Sequence, residues 1–167
     1  MMEDNFQKVV KNICRIILKN KTKMIREEDI KNMCENYDFN DVISEVYNRL
    51  NDVGFELIAT NFLEQKYYVL TSEGKDDEIT PSQYGTLATI LAMSKEIDEN
   101  LKLDDIKEIF SELWDSDVKF LIEKDYLRKI NINGLDIIKV TPLGKALLKN
   151  IIKDLNIKNI LEIFKHE

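Results

Sequence analysis

Few side chains in this sequence have the types and spacing that catalysis or metal binding requires. The single histidine, His166, has no cysteine or second histidine at metal-ligand spacing. The two cysteines, Cys14 and Cys34, lie in apolar helical patterns and form no CxxC motif, which is typical of reduced core thiols. We therefore expect neither a metal site nor a cysteine nucleophile.

The carboxylates and glycines offer no clearer candidate. Glu27-Glu28-Asp29 opens a helix and Asp76-Asp77-Glu78 lies in a polar stretch, so exposure to solvent accounts for both runs. The five glycines are too scattered for a dinucleotide-binding or P-loop motif, and no GxSxG arrangement is present. The sequence predicts a protein that is not an enzyme, with no catalytic residue and no cofactor.

The elements that would position any functional side chain occur in the same order twice. From about Phe6 to Thr71, and again from about Thr80 to Thr141, amphipathic helices and a short acidic helix precede two β-rich runs. Three helices and a β-hairpin are the plan of a winged helix. The pattern predicts a mainly α fold with small β-hairpins (α+β): winged-helix domains at 1–72 and 80–167, a linker at 73–79, and a C-terminal helical extension.

Local signals set the expected boundaries in the first half. Apolar residues at helical spacing predict a first helix over Phe6–Ile17, and the acids from Glu27 open a second. Asp38 is the expected N-cap of a third helix, which Gly54 terminates. Two β-rich runs, 55–60 and 66–71, then predict a hairpin with a wide turn, and Met24-Ile25 reads as a connector.

The second half carries stronger signals. Thr80-Pro81-Ser82-Gln83 forms a capping box with proline at the first helical position, and Thr141-Pro142 repeats this helix start. Asn133-Gly134 predicts a type I′ hairpin turn. Between Thr80 and Asn133 we expect a helix that is capped by Asp104 and ends near Trp114, followed by a third helix over 115–126.

Charge limits the choice of partner. The 167-residue chain has a net charge of −7, whereas proteins dedicated to duplex binding usually present a basic face. The expected third helices are acidic and unsuited to a groove lined by phosphates. One basic cluster interrupts the acidic balance, and it is either a solvated helix face or a nucleic-acid contact. Its members are Lys8, Lys11, Arg15, Lys19, Lys21, Lys23 and Arg26.

Apolar residues outside the expected core are candidate partner contacts. Phe62-Leu63 lies in the first hairpin turn, where it either folds back over the core or inserts into a partner. Trp114, the only tryptophan, is either a core residue or an interface anchor. Two stripes after Leu147, the second containing Ile160, Leu161 and Phe164, either cover the second domain or mediate self-association.

No apolar run approaches the ~20 residues that span a bilayer, and the acidic first residues do not resemble a secretory signal. We therefore expect a cytoplasmic protein without membrane contact.

The repeated halves resemble the kite proteins, tandem winged-helix subunits that bind the kleisin of SMC chromosome complexes. Ile25 to Ile30, Val53 to Leu57, Tyr67 to Leu70 and Phe120 to Leu127 are similar to the MAGE homology-domain branch. The length, the acidic balance and the helix from Thr80 to Leu91 resemble the bacterial ScpB branch. In place of the proline-rich Gln-Pro-Ile-Thr segment of ScpB, this chain has Met93-Ser94-Lys95-Glu96-Ile97.

The resemblance implies a homodimer or heterodimer that clasps a kleisin segment and has no catalytic activity. The leading hypothesis is accordingly a noncatalytic, chromosome-associated kite-like subunit that supports chromosome segregation and condensation. A winged-helix transcription regulator is the alternative, binding DNA through the basic first helix or through Arg128, Lys129 and Lys139 of the second hairpin. A MAGE-like adaptor for a ubiquitin-type ligase is a third possibility.

Overall fold

The chain divides into two compact units, Met1–Lys75 and Asp76–Glu167. The computed structural model describes residues 2–72 and 78–149, which form α-helices and two small antiparallel sheets, so the fold is α+β. The predicted linker at 73–79 falls largely outside the described residues, as does the C-terminal extension with Ile160, Leu161 and Phe164. The finer domain boundaries therefore remain a prediction.

The described residues of the first unit form three helices and three strands in the order helix, strand, helix, helix, strand, strand. These are α1 (Met2–Lys19), β1 (Met24–Arg26), α2 (Glu27–Met33), α3 (Phe39–Asp52), β2 (Phe55–Phe62) and β3 (Gln65–Ser72). The sheet order is β1-β3-β2, with both pairs antiparallel. Met24-Ile25 is thus an edge strand opposite Tyr68 and Val69, and its prediction as a connector was wrong. Three residues are too few to show a period of two.

Helix positions in the first unit follow from amphipathic spacing and capping. α1 buries Val10, Ile13 and Ile17 against α2, α3 and the sheet, in one apolar cluster. Asp38 caps α3 as predicted, because its side chain accepts hydrogen bonds from the backbone N–H groups of residues 40 and 41. Gly54 follows α3 with φ +87°, a left-handed conformation that favours glycine.

The first hairpin is tighter than its sequence predicts. Phe62 pairs with Gln65, which leaves a two-residue turn instead of the expected wide one. Leu63 and Glu64 occupy this turn with φ of 48° and 62°, although neither residue favours the left-handed region. The wide-turn prediction was wrong because the usual asparagine or glycine signal is missing here.

The described residues of the second unit repeat this element order and add a helix after the last strand. Its elements are α4 (Pro81–Glu96), β4 (Leu101–Lys102), α5 (Leu103–Ile109), a 3₁₀ turn (Ser111–Leu113), a π-helical segment (Trp114–Val118), α6 (Lys119–Glu123), β5 (Leu127–Ile132), β6 (Leu135–Val140) and α7 (Pro142–Leu147). The sheet order is β4-β6-β5, again with the first strand beside the last.

One helix prediction in this unit was wrong, and another was right in position but not in the type of helix. α5 begins at Leu103, with Lys102 at the N-cap position, and ends at Ile109 instead of near Trp114. The helix starts directly after the short strand β4, and its first residue, Leu103, is buried. The expected third helix over 115–126 is a π-helical segment followed by five residues of α-helix.

The capping and turn predictions in the second unit are confirmed. Thr80 and Gln83 form both hydrogen bonds of the capping box at the start of α4. Asn133 and Gly134 have φ of 52° and 84°, as a type I′ turn requires. The Thr141 side chain accepts from the backbone N–H of Gly144. A Cβ at position 144 would lie 2.3 Å from the carbonyl oxygen of Tyr126, so this close approach requires glycine.

Candidate interaction surfaces

The surface of α3 offers little to a phosphate backbone. Arg49 is the only basic side chain on this helix, and its Nε lies 3.1 Å from Glu45 Oε1. Asp41 and Asp52 are exposed, as is Tyr47. The exposed face therefore consists of acids, neutral polar groups and one aromatic ring. It fits a protein contact better than a DNA groove.

The corresponding region of the second unit is equally poor in available cations. Lys119 forms an ion pair with Asp115, and Lys124 Nζ lies 3.0 Å from Glu78 Oε2. An intrachain carboxylate thus compensates both Lys119 and Lys124. The acidic third helices inferred from the sequence keep their character in the structure.

The cations of the second hairpin are paired as well. Arg128 contacts Asp125 at 2.7 Å and Lys129 contacts Asp136 at 3.2 Å. Lys139 Nζ lies 3.4 Å from Glu99 Oε1. These pairs neutralise the residues that a DNA-binding hairpin would use, and sequence inspection alone does not reveal them.

The basic cluster on α1 is arranged differently, and we call it the basic stripe. Its members in the described structure are Lys8, Lys11, Arg15, Lys19, Lys21 and Lys23, all exposed. Lys8 contacts Asp4 at 3.3 Å, and Arg15 donates to the neutral side chain of Asn12. Arg26, in contrast, lies in β1 and pairs with Asp29. Most of the predicted cluster therefore forms a continuous exposed surface.

The apolar turn residues of the first hairpin have separate surroundings. Phe62 is only 5% exposed, and its ring lies edge-on to Tyr67 at a centroid distance of 6.3 Å. Leu63 is 49% exposed at the tip of the turn. Of the two predicted contact residues, Leu63 alone is available to a partner in this conformation.

The second hairpin tip also carries exposed apolar side chains, which sequence reasoning missed. Ile132 and Leu135 are cross-strand partners, and they are 41% and 46% exposed. Both flank Asn133-Gly134, so the turn signal would have placed them together at the tip. Each unit thus presents aliphatic surface at the end of its hairpin.

The sequence predicts that Trp114 is either a core residue or an interface anchor, and its surroundings have features of both. Its half-buried ring packs against the core of the second unit, and Lys107 Nζ lies 5.4 Å from the ring centroid. Ile109 and Leu113, close by in sequence, are exposed. An apolar surface segment therefore runs from the end of α5 to the π-helical segment, with Trp114 at its inner edge.

Two carboxylates fasten helices to other elements without forming a reactive site. In the Glu27 cluster, the Glu27 carboxylate contacts Lys31 at 2.7 Å, Lys66 at 3.0 Å and the hydroxyl of Tyr68 at 3.1 Å. The hydrogen bond from Lys31, helped by those from Lys66 and Tyr68, lowers the pKa of Glu27 to about 2. This carboxylate stays ionised at neutral pH, so it is no general acid.

In the Asp117 cluster, the residue Asp117 is 3% exposed and its carboxylate accepts hydrogen bonds from three hydroxyl groups. Ser82 donates at 2.6 Å, Thr86 at 2.8 Å and Ser116 at 2.9 Å. These bonds join α4 to the π-helical segment. No histidine, cysteine or second carboxylate completes a metal-binding group around Asp117. Residues 2–72 and 78–149 contain no other group of three or more side chains that could hold a metal ion.

The two thiols have the surroundings of core residues. Cys34 is buried and donates to the carbonyl oxygen of Ile30 at 3.2 Å, while Cys14 is half-buried. Burial raises the pKa of both thiols, which disfavours the reactive thiolate. Their environment agrees with the interpretation as structural cysteines.

A shallow depression of about 380 Å³ lies beside the end of α4. Its charged lining side chains are Lys95, Lys145, Asp98 and Glu99. Burial, with Lys139 and Lys95 nearby, lowers the pKa of Lys145. Two cations and two anions leave this depression without the charge excess that would select an ionic ligand.

Comparisons with known proteins leave the family open. No protein-family model matches the chain, and no curated protein sequence matches it significantly. Within the part of the chain that the structure describes, no helix is sufficiently long and apolar to cross a membrane. The surfaces described above are therefore the basis for assigning a function.

Proposed function

We propose that this protein is a noncatalytic, kite-like subunit of two winged-helix units that binds a kleisin-type partner in an SMC chromosome complex. The observation that carries the proposal is the repeated architecture. Both units have the order helix, strand, helix, helix, strand, strand, and both sheets place the first strand beside the last. That order and pairing are the plan of a winged helix, and its duplication in one short chain is the plan of a kite subunit.

Surface chemistry supports protein binding over base readout. The third-helix regions carry paired cations and exposed acids, whereas apolar side chains are exposed at Leu63, Ile109 and Leu113. Interfaces gain most of their affinity from a few apolar or aromatic anchors surrounded by polar groups. The segment from Ile109 to Trp114 has this composition and is our candidate for the partner-binding surface.

Coexpression with the kleisin of its own host tests the proposal. We expect the two proteins to coelute in size-exclusion chromatography. Ile109→Glu with Leu113→Glu should weaken the complex at least tenfold, because charged side chains in an interface core are costly to desolvate. A double Asn32→Glu, Asn36→Glu variant changes net charge equally at exposed positions outside this segment and outside α3, and it should bind as wild type. Absence of any complex at micromolar concentrations would refute the proposal.

A sequence-specific transcription regulator is the alternative, and the basic stripe is the observation that favours it. It predicts a marked preference for one operator sequence over unrelated duplexes. The paired cations of the second hairpin argue against that element as the DNA reader. Selection from a random duplex library discriminates the two functions, since an enriched consensus sequence would favour the regulator.

A further inference from the structure

The cations of α1 are aligned along one side of the helix. Lys8, Lys11, Arg15 and Lys19 are separated by three, four and four residues, so they project within about 80° of one another around the helix axis. At 1.5 Å per residue they span about 16 Å. Lys21 and Lys23 extend the line into the connection to β1.

The stripe has little internal compensation. No acid occurs between Asn5 and Arg26, and none of Lys11, Lys19, Lys21 and Lys23 forms an ion pair within the described structure. The Lys8–Asp4 pair is strongly exposed, with both side chains at least 69% accessible, and such pairs contribute little. A chain with a net charge of −7 therefore concentrates at least five uncompensated positive charges along α1 and the connection that follows it.

This arrangement costs helix stability. Lys11 with Arg15, and Arg15 with Lys19, are like-charge pairs at i,i+4, a spacing at which they destabilise a helix by a few tenths of a kcal/mol each. An ordinary solvated face avoids that cost by alternating signs. The retained repulsion indicates a surface that is complementary to an anionic ligand.

The apolar content of the α1 surface distinguishes between two possible anionic ligands, an acidic peptide and the phosphate backbone of a nucleic acid. An acidic peptide normally adds apolar anchors to its charge contacts. On the described part of α1, Leu18 is the only large hydrophobic side chain that is substantially exposed. A phosphate backbone needs no such anchor, because counterion release supplies the affinity. The length of the stripe also matches the rise of about five nucleotides of one B-form strand.

We infer that the basic stripe binds the phosphate backbone of double-stranded nucleic acid without reading its sequence. This contact does not depend on the kleisin-type partner proposed above. The acidic third-helix regions repel phosphates and so restrict nucleic acid to α1. A subunit that binds a protein partner would in this way also bind the duplex, through electrostatic contacts.

Fluorescence anisotropy with two unrelated duplexes of about 20 base pairs tests the inference between 50 and 200 mM NaCl. Contacts to four to six phosphates predict a slope of log K against log salt of about −4 to −5, which is a loss of a few hundred- to a thousandfold over this range. Both duplexes should bind equally. The triple variant Lys11→Ala, Lys19→Ala, Lys21→Ala should make the slope shallower by about 3.

The matched control is Lys102→Ala, Lys107→Ala, Lys119→Ala, which changes the net charge equally but leaves the stripe intact. It should bind duplex like the wild type. Circular dichroism should show an intact α1 in the stripe variant, because alanine is the best helix former. Equal losses in the two triple variants would overturn the inference, as would a polyglutamate peptide that binds more tightly than duplex at the same salt concentration.

Discussion

Each unit has a carboxylate that joins two of its elements, and the two carboxylates have opposite kinds of hydrogen-bonding partners. In the first unit, the Glu27 cluster joins α2 to β3 through two lysines and a tyrosine. In the second, the Asp117 cluster joins α4 to the π-helical segment through hydroxyl groups alone. Glu27 retains 16% side-chain exposure, whereas the residue Asp117 is 3% exposed. The joint in the first unit therefore uses ion pairs, and the joint in the second uses buried hydrogen bonds.

The difference shows how burial selects the donors. Lysine ammonium groups are strongly hydrated, so they partner a carboxylate most readily where their chains still reach solvent. Hydroxyl groups are small and cost little to bury once hydrogen-bonded, so they can surround a carboxylate in the interior. We therefore expect the first joint to respond to salt and pH, and the second to respond mainly to loss of a hydrogen-bonding group.

Replacing Asp117 should produce the largest loss in the free energy of unfolding. Asp117→Ala removes the acceptor for three hydroxyl groups, among them Thr86, which is 2% exposed. Hydrogen bonds to charged groups contribute about 1.5–3 kcal/mol each, and buried donors without a partner are costly, so we expect a net loss of about 3–4 kcal/mol. Trp114, the only tryptophan, makes fluorescence-detected urea unfolding a reporter of the second unit.

The control is Asp115→Ala, at an exposed position in the same segment, which should cost less than about 1 kcal/mol. A more stable Asp117→Ala protein would show that desolvation of the carboxylate outweighs its hydrogen bonds. The joint would then contribute specificity of packing at the expense of stability.

Local features were predictable from sequence, whereas the two joints were not. The Asp38 cap, the Thr80 capping box and the Asn133-Gly134 turn each depend on residues within four positions of one another. The donors to Asp117 from α4, in contrast, lie 31 and 35 residues away in sequence. No periodic pattern records such a contact, so the π-helical start of the expected third helix of the second unit went unforeseen.

The candidate site was predictable to a similar extent. The basic stripe follows from helical spacing alone, and its exposure agrees with that pattern. The pairing of the second hairpin's cations depends on tertiary contacts such as Lys139 with Glu99, 40 residues apart. Strands β1 and β4 were missed because they contain three and two residues and gain their order from pairing with a distant strand.

Replacing Glu27 should produce an intermediate loss in the free energy of unfolding, and this loss should depend on pH. The pKa of Glu27 is lowered in the folded state to about 2 from its ordinary 4.5, so its contribution is fully present above pH 4.5 and is lost as the pH falls towards 2. We expect Glu27→Gln to cost about 1–2 kcal/mol at pH 7, since solvent screens this partly exposed cluster, and close to nothing at pH 2.

Hydrogen exchange resolved by mass spectrometry assigns this loss to a unit. Protection should fall in β1 and β3 of the Glu27→Gln protein, while the second unit keeps its exchange rates. Raising NaCl to 1 M should narrow the difference between variant and wild type, because salt screens the lysine contacts. A difference that persists unchanged at 1 M NaCl would contradict an ionic joint.

Substitutions in the two hairpin turns should produce the smallest changes in stability. They allow the most direct comparison of the two units, because the turns have the same backbone conformation. Leu63 and Glu64 adopt the same left-handed turn conformation as Asn133 and Gly134, although the latter pair adopts it at far lower cost. Leu63→Asn with Glu64→Gly should therefore stabilise the first unit by about 1 kcal/mol, and the reciprocal exchange at positions 133 and 134 should destabilise the second by a similar amount. Urea unfolding by far-UV circular dichroism and by Trp114 fluorescence measures the two changes.

Backbone strain tends to persist where a side chain serves function. If exposed Leu63 contacts the partner, the more stable Leu63→Asn, Glu64→Gly protein should bind the kleisin-type partner more weakly than wild type. Glu64→Gly alone relieves part of the strain and keeps the leucine, so it should bind as wild type. A double variant that gains stability without losing affinity would exclude the first hairpin tip from the interface and leave the Ile109–Trp114 segment as the binding surface.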